Sequence, residues 1–142
     1  MEPRISLVTL GVADLGRSLR FYREGLGWQP SGASVEGEVA FFQLGGLVLG
    51  LWSRASLAED ANLAGDDGWG GVTLAHNVRS RDEADAMVAA MVAAGGRLLK
   101  APVATDWGGY SGYVADPDGH PWEIAHNPFW RILDDGAIAL PD

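Results

Sequence analysis

Residues 110–127, Tyr110-Ser-Gly-Tyr-Val-Ala-Asp-Pro-Asp-Gly-His-Pro-Trp-Glu-Ile-Ala-His-Asn127, read as two strands joined by a tight turn. The turn chemistry sits in Asp116-Pro117-Asp118-Gly119, where proline presets φ and glycine takes positive φ at little steric cost. Tyr113 and Val114 before the turn, and Trp122 and Ile124 after it, suit strands. Successive strand side chains point to opposite faces, so Glu123 shares a face with Ala125 and Asn127, while Trp122 and Ile124 face the core. A carboxylate within an apolar strand is costly if dry and unpaired. Glu123 must therefore meet a cation, a metal, a hydrogen-bond donor or a wet cavity.

Outward from this hairpin the chain divides into two similar units. Ile5–Val12 reads as a strand, and Asp14 can cap a following helix whose Leu15, Leu19, Tyr22 and Leu26 form one apolar stripe, ended by Gly25 and Gly27. Residues 29–37 suggest an irregular strand, and Val39–Leu44 with Leu47–Trp52 are two more, joined across Gly45-Gly46. After an acidic, glycine-containing connector the order recurs. Gly71–Val78 reads as a strand. Ser80 and Glu83 form a capping box for a helix with Ala84, Met87, Val88, Met91 and Val92 on one face, stopped by Gly95-Gly96. Arg97–Pro102 is the next strand and the 110–127 hairpin closes the unit. Val12 with Val78, and Gly46 with Gly119, mark an internal period of roughly 66–73 residues. The expected architecture is one α+β domain over 1–142. Module one spans 4–53, a linker 54–69, module two 70–127, and an apolar tail 128–142 (Phe129, Trp130, Ile132, Leu133, Leu140) packs on the body or on a second subunit.

Composition narrows the function. The chain has 142 residues, 47% of them hydrophobic, enough for a packed interior. Its apolar runs, such as Leu47–Trp52 and Ala86–Ala94, are far short of a membrane span, and Met-Glu-Pro-Arg does not resemble a secretion signal. No cysteine is present, so there is no disulfide framework and no thiolate nucleophile or ligand. The expected setting is cytoplasmic, with no membrane partner. A formal charge of −9 argues against nucleic acid as partner, serves solubility, and would draw cationic small molecules to an acidic cleft.

Two stretches, Val12-Ala-Asp-Leu-Gly-Arg-Ser-Leu-Arg-Phe-Tyr22 with Gly25-Leu-Gly-Trp28, and Tyr113-Val-Ala-Asp-Pro-Asp-Gly-His-Pro-Trp-Glu123, resemble the vicinal oxygen chelate superfamily, the glyoxalase, bleomycin-resistance and extradiol-dioxygenase group. The resemblance runs from about residue 5 to 127. It implies two tandem βαβββ modules whose curved mixed sheets enclose a cavity, with helices outside, and commonly a homodimer. Because the superfamily hosts many chemistries, it indicates a fold more than a function. Metal-dependent members place four ligands on the first and last strand of each unit. Those positions correspond here to Leu7, Gly50, Thr73 and Glu123, within one residue of register. Only Glu123 offers a strong donor, whereas a transition ion usually needs three or four. His76 and His126 fall out of phase with the cavity face, at strand ends, and His120 sits in the turn. The expectation is no cofactor, although a register slip bringing His76 inward would allow a divalent metal.

Taking Glu123 as the phase marker puts Val48, Gly50 and Trp52 inward, with Phe42 opposite. Tyr113 and Ser111 follow, beside Thr73, Ala75 and Asn77, with Trp107-Gly108-Gly109-Tyr110 at the mouth. The candidate ligand-binding set is thus Trp52, Thr73, Asn77, Trp107, Tyr110, Tyr113 and Glu123, an acidic aromatic site that favours a cationic or planar guest. The leading expectation is metal-independent binding of a small aromatic or cationic compound. The alternative is a lyase, isomerase or dioxygenase of the same superfamily in which Glu123, the candidate catalytic residue, is metal ligand or general base. A third reading, a regulatory domain using only the fold, requires the cavity to be filled by the chain's own side chains.

Overall fold

A computed structural model of the chain describes residues 1–25, 27–64, 68–115 and 119–141. Two units follow one another, as the motifs require. The first holds β1 (Leu7–Val12), α1 (Leu15–Arg20), β2 (Val39–Leu44) and β3 (Leu47–Ser53). A short helix, α2 (Arg54–Asp60), leads on to the second unit: β4 (Val72–Asn77), α3 (Arg81–Ala93), β5 (Arg97–Ala104), β6 (Tyr110–Ala115) and β7 (Pro121–His126). All seven strands form one curved, unclosed mixed sheet in the order β2-β3-β1-β4-β7-β6-β5. The two modules meet within the chain, through antiparallel pairing of β1 with β4 (Leu7 opposite Ala75, Thr9 opposite Thr73).

Local chemistry starts the helices where the sequence says. Asp14 accepts the Arg17 N–H at 2.9 Å and opens α1, which continues as a π-helical turn over Phe21–Gly25. The stripe of Leu15, Leu19 and Tyr22 covers Val8, Leu10 and Val12 on the outer face, while Leu26 lies outside the described residues. Ser80 accepts the Glu83 N–H at 3.1 Å, and the Glu83 carboxylate returns to the Arg79 N–H at 2.7 Å, one residue before the cap. From there α3 lays Ala84 and Val88 on Val114 and Ile124. Of the 116–119 turn, Asp116, Pro117 and Asp118 lie outside the described residues; Gly119 takes the positive φ expected of it, 93°.

Two stretches differ from expectation. Residues 29–37 form turns, with one isolated bridge, Val35 to Val39, instead of a strand. Serine hydroxyls replace the ladder there: Ser34 accepts the Phe41 N–H at 2.9 Å and Ser31 accepts the Ala33 N–H at 3.1 Å. The connector is no loose linker at its start, because α2 packs on the inner face of the sheet, the face opposite α1 and α3. Leu57, Ala61, Leu63 and Trp69 form a core cluster with Tyr113, flanked by Trp52. Helix and sheet approach closely because Gly11 has no side chain: a Cβ there would stand 3.1 Å from the Arg54 Cα. Arg54 stacks 5.2 Å above Trp69 and donates to its carbonyl, which ties the connector's two ends together.

The tail folds into a hairpin, β8 (Arg131–Ile132) with β9 (Ile138–Ala139), also on the inner face. Buried Ile138 meets Leu7, Val48 and Ala75, and Trp130 stands edge-on to Phe41 with ring centroids 4.9 Å apart. Gln43 fixes the hairpin by donating to the Ile138 carbonyl and accepting the Leu140 N–H, both at 2.9 Å. Among the described residues, no helix is long and apolar enough to cross a membrane.

Candidate functional site

Strand register places Lys100, Tyr113, Glu123, Ala75 and Leu7 as successive cross-strand neighbours along one row of the inner face. Glu123 therefore stands between a phenol and an alanine near the middle of the sheet. The Ser111 hydroxyl donates to its carboxylate. Burial, chiefly, and then the nearby Asp60 carboxylate push its pKa up to about 7, against the smaller opposing pull of Ser111 and Lys100. The residue as a whole is only partly buried.

Asp60, at the end of α2, is the residue that sequence reasoning missed. One carboxylate oxygen accepts from the Lys100 ammonium at 2.6 Å, and the other accepts from the Tyr113 hydroxyl at 2.9 Å. Both ion-pair partners stay partly open to solvent, 23% exposed for Lys100 and 29% for Asp60. Tyr113 thus joins the two acids, bonded to one and paired across the strands with the other. Its own ionisation is pushed well up, by burial first and then by Glu123 and Asp60. Two carboxylates face one ammonium. When both are ionised the cluster carries one excess negative charge. One signal was available: Lys100 is the chain's single lysine, beside nine arginines.

The other candidates scatter. Trp52, half-buried, shares the inner face and packs beside the Tyr113 and Leu57 cluster. Thr73 and Asn77 are buried on the same face, one step from Ala75 on either side along β4. Tyr110 is not in this group. It alternates with Ser111, so it points to α3, where its hydroxyl donates to Asp85 at 2.7 Å and its ring lies under Arg81. Trp107 is 48% exposed in the β5–β6 turn, its ring over Gly109. Phe42 also faces outward, against Tyr22 and Trp28, and Phe41 takes the inner face instead. Trp122 is only partly buried and lines an open cleft of about 620 Å³ with Met1, Arg4, Ile5, Leu44 and Leu47. A second cleft of about 350 Å³ borders His76 and Met87. Neither reaches Glu123, because the connector and the tail hairpin occupy much of the inner face where an open aromatic cavity was expected.

A metal finds few donors here. Leu7 and Gly50 have none, and Thr73 offers a neutral hydroxyl. Among the described residues, no three His, Asp or Glu side chains gather as an ion would require. His76 is buried on the outer face beneath the N-terminal segment, Nδ1 3.2 Å from the Arg4 carbonyl, and burial lowers its pKa. His126 lies 3.3 Å from the Val78 carbonyl.

Comparison with known proteins agrees with this architecture. The family model described as Glyoxalase/Bleomycin resistance protein/Dioxygenase superfamily matches residues 4–124. No curated protein matches the chain. Among solved structures, a glyoxalase-related enzyme from Fulvimarina pelagi is 42% identical, with 99% of each chain covered and a TM-score of 0.51. A chain from Legionella pneumophila named NAD-dependent benzaldehyde dehydrogenase is 25% identical, with 84% of this chain and 96% of that one covered and a TM-score of 0.67. The Mn(II)-bound glyoxalase of Novosphingobium aromaticivorans is 24% identical over 97% of this chain and 40% of its own, with a TM-score of 0.59, a likeness of fold. A paired-module sheet, the Val12–Tyr22 and Tyr113–Glu123 motifs, and a family match over most of the sequence lead to one conclusion: the chain belongs to the glyoxalase/bleomycin resistance protein/dioxygenase superfamily.

Proposed function

We propose that this protein binds a small cationic compound, without a metal, at the Glu123–Asp60–Lys100 cluster on the inner face of its sheet. One observation carries the reading: the partly exposed Asp60–Lys100 pair stands beside the Glu123 carboxylate, so that with both acids ionised two negative charges face a single ammonium and the cluster lacks one positive charge. Tyr113 and Trp52 supply the aromatic surface nearby. A guest ammonium or amidinium would fill the charge deficit, hydrogen-bond to Glu123 and lie against these rings. The test uses benzylammonium, a monocation with one ring, followed by tryptophan fluorescence at about pH 8, where Glu123 is largely ionised. Saturable quenching is expected, unchanged by EDTA, and Glu123→Gln should weaken it by about 1–3 kcal/mol. Quenching that EDTA abolishes, or that Glu123→Gln leaves untouched, would refute the reading.

The elevated pKa of Glu123 favours a second reading, a general base for proton abstraction beside a carbonyl, since a base poised near neutrality suits that work. Turnover of a carbonyl substrate, rising with pH to a plateau above about 7 and lost in Glu123→Gln, would select it. A homodimer belongs to the same proposal. Sedimentation of the purified chain at micromolar concentration tests it, and a monomer would exclude it.

A further inference from the structure

Lys100 offers its ammonium to Asp60, at 2.6 Å, although Glu123 stands in the same row of the sheet two strands away. Asp60 also takes the Tyr113 hydroxyl, so it is fully engaged by the protein itself. Among the described residues, Glu123 has the neutral Ser111 hydroxyl as hydrogen-bond partner and only a lesser pull from Lys100, and its pKa is raised by burial and then by Asp60. Its β4 neighbour Ala75 brings no charge. Lys100 is thus bonded directly to Asp60 and acts on Glu123 only as a weaker, nearby charge.

We propose that Asp60 and Lys100 set the charge specificity of this site: Lys100 is a built-in cation that saturates Asp60, so the cluster admits one positive charge at Glu123 and refuses a second. The inference rests on the cation-binding reading of the site and adds two residues to it. Asp60 arrives on the connector, outside both repeated modules, whereas Lys100 on β5 and Glu123 on β7 belong to the sheet. Lys100 acts through Asp60 and is a positioning residue. Removing its ammonium uncovers a second anion, and a dication then becomes the better guest. Removing only the Asp60 charge frees Lys100 to neutralise Glu123, and the site closes to cations. Removing both returns the charge balance to that of the native site.

Benzylammonium and the dication of 1,4-bis(aminomethyl)benzene, titrated at about pH 8 against native protein and three variants, distinguish these states. Asp60→Asn should weaken benzylammonium on the order of tenfold. Lys100→Met should raise the preference for the dication over the monocation by a similar factor. The double variant Asp60→Asn/Lys100→Met should bind benzylammonium close to the native level, a rescue that mere loss of a structural ion pair does not produce. Far-UV circular dichroism verifies folding, and if Asp60→Asn does not fold, the dication preference of Lys100→Met decides alone. Unchanged affinities in the folded variants, with Glu123→Gln still impaired, overturn this inference and leave the binding site standing. No saturation by either probe in the native protein overturns both.

Discussion

Glu123 is the residue where fold and chemistry pull against each other. Its carboxyl has a pKa near 7 in the folded chain against 4.5 ordinarily, so the folded state holds a proton that the unfolded state releases between those values. Stability from this group is fully present below about pH 4.5 and is lost as pH rises through 7. Glu123→Gln, which keeps the shape and removes the titration, is therefore expected to stabilise the protein by about 2 kcal/mol at pH 8 and by little near pH 4. Urea unfolding at the two values checks the sign, and equal effects at both would contradict it. The need for a partner at Glu123 was legible in the sequence, from a lone acid between Trp122 and Ile124. The identity of its neighbours was not, because Asp60 lies 63 positions away on another element.

Among the elements, α2 departs most from its sequence appearance. Seven residues rich in alanine and charge gave no amphipathic signal, since only Leu57 is buried within the helix. Tertiary contact with Tyr113 and Trp69 makes the helix worth forming, consistent with short helices being marginal alone. Leu57→Ala should cost about 2–5 kcal/mol in denaturant unfolding, as a leucine that is 1% exposed leaves a cavity. A loss under 1 kcal/mol would mean that α2 is only lightly held on the sheet. Gly71→Ala should also destabilise, because its φ is 82° and a Cβ would run into the Arg54 guanidinium. The seven strands, by contrast, were readable almost to the residue. Alternating apolar side chains and glycine turns fix them locally; Arg97–Ala104 and Leu47–Ser53 run one or two residues past their patterns, and Leu7–Val12 and Val72–Asn77 fall one or two residues short of theirs at one end or both.

At the scale of the molecule, the β1–β4 junction and the tail hairpin make one folding unit of two modules. Ile138 reaches from the end of the chain to Leu7 and Val48 in the first module and Ala75 in the second. A chain truncated after Asn127 should therefore unfold at lower denaturant than the full chain, and the intact protein should unfold in one transition seen alike by fluorescence and circular dichroism. Two separated transitions would show that the modules are independent. The sequence by itself determined the repeat, the strands and capped helices, the face on which Glu123 lies and its need for company, because all of these depend on residues within a few positions of one another. The tertiary structure alone decided that the modules join through β1 and β4, and that the connector and tail fill much of the inner face. It also decided that Asp60 and Lys100 meet beside Glu123. Those are encounters between distant stretches, whose partners no local periodicity can name.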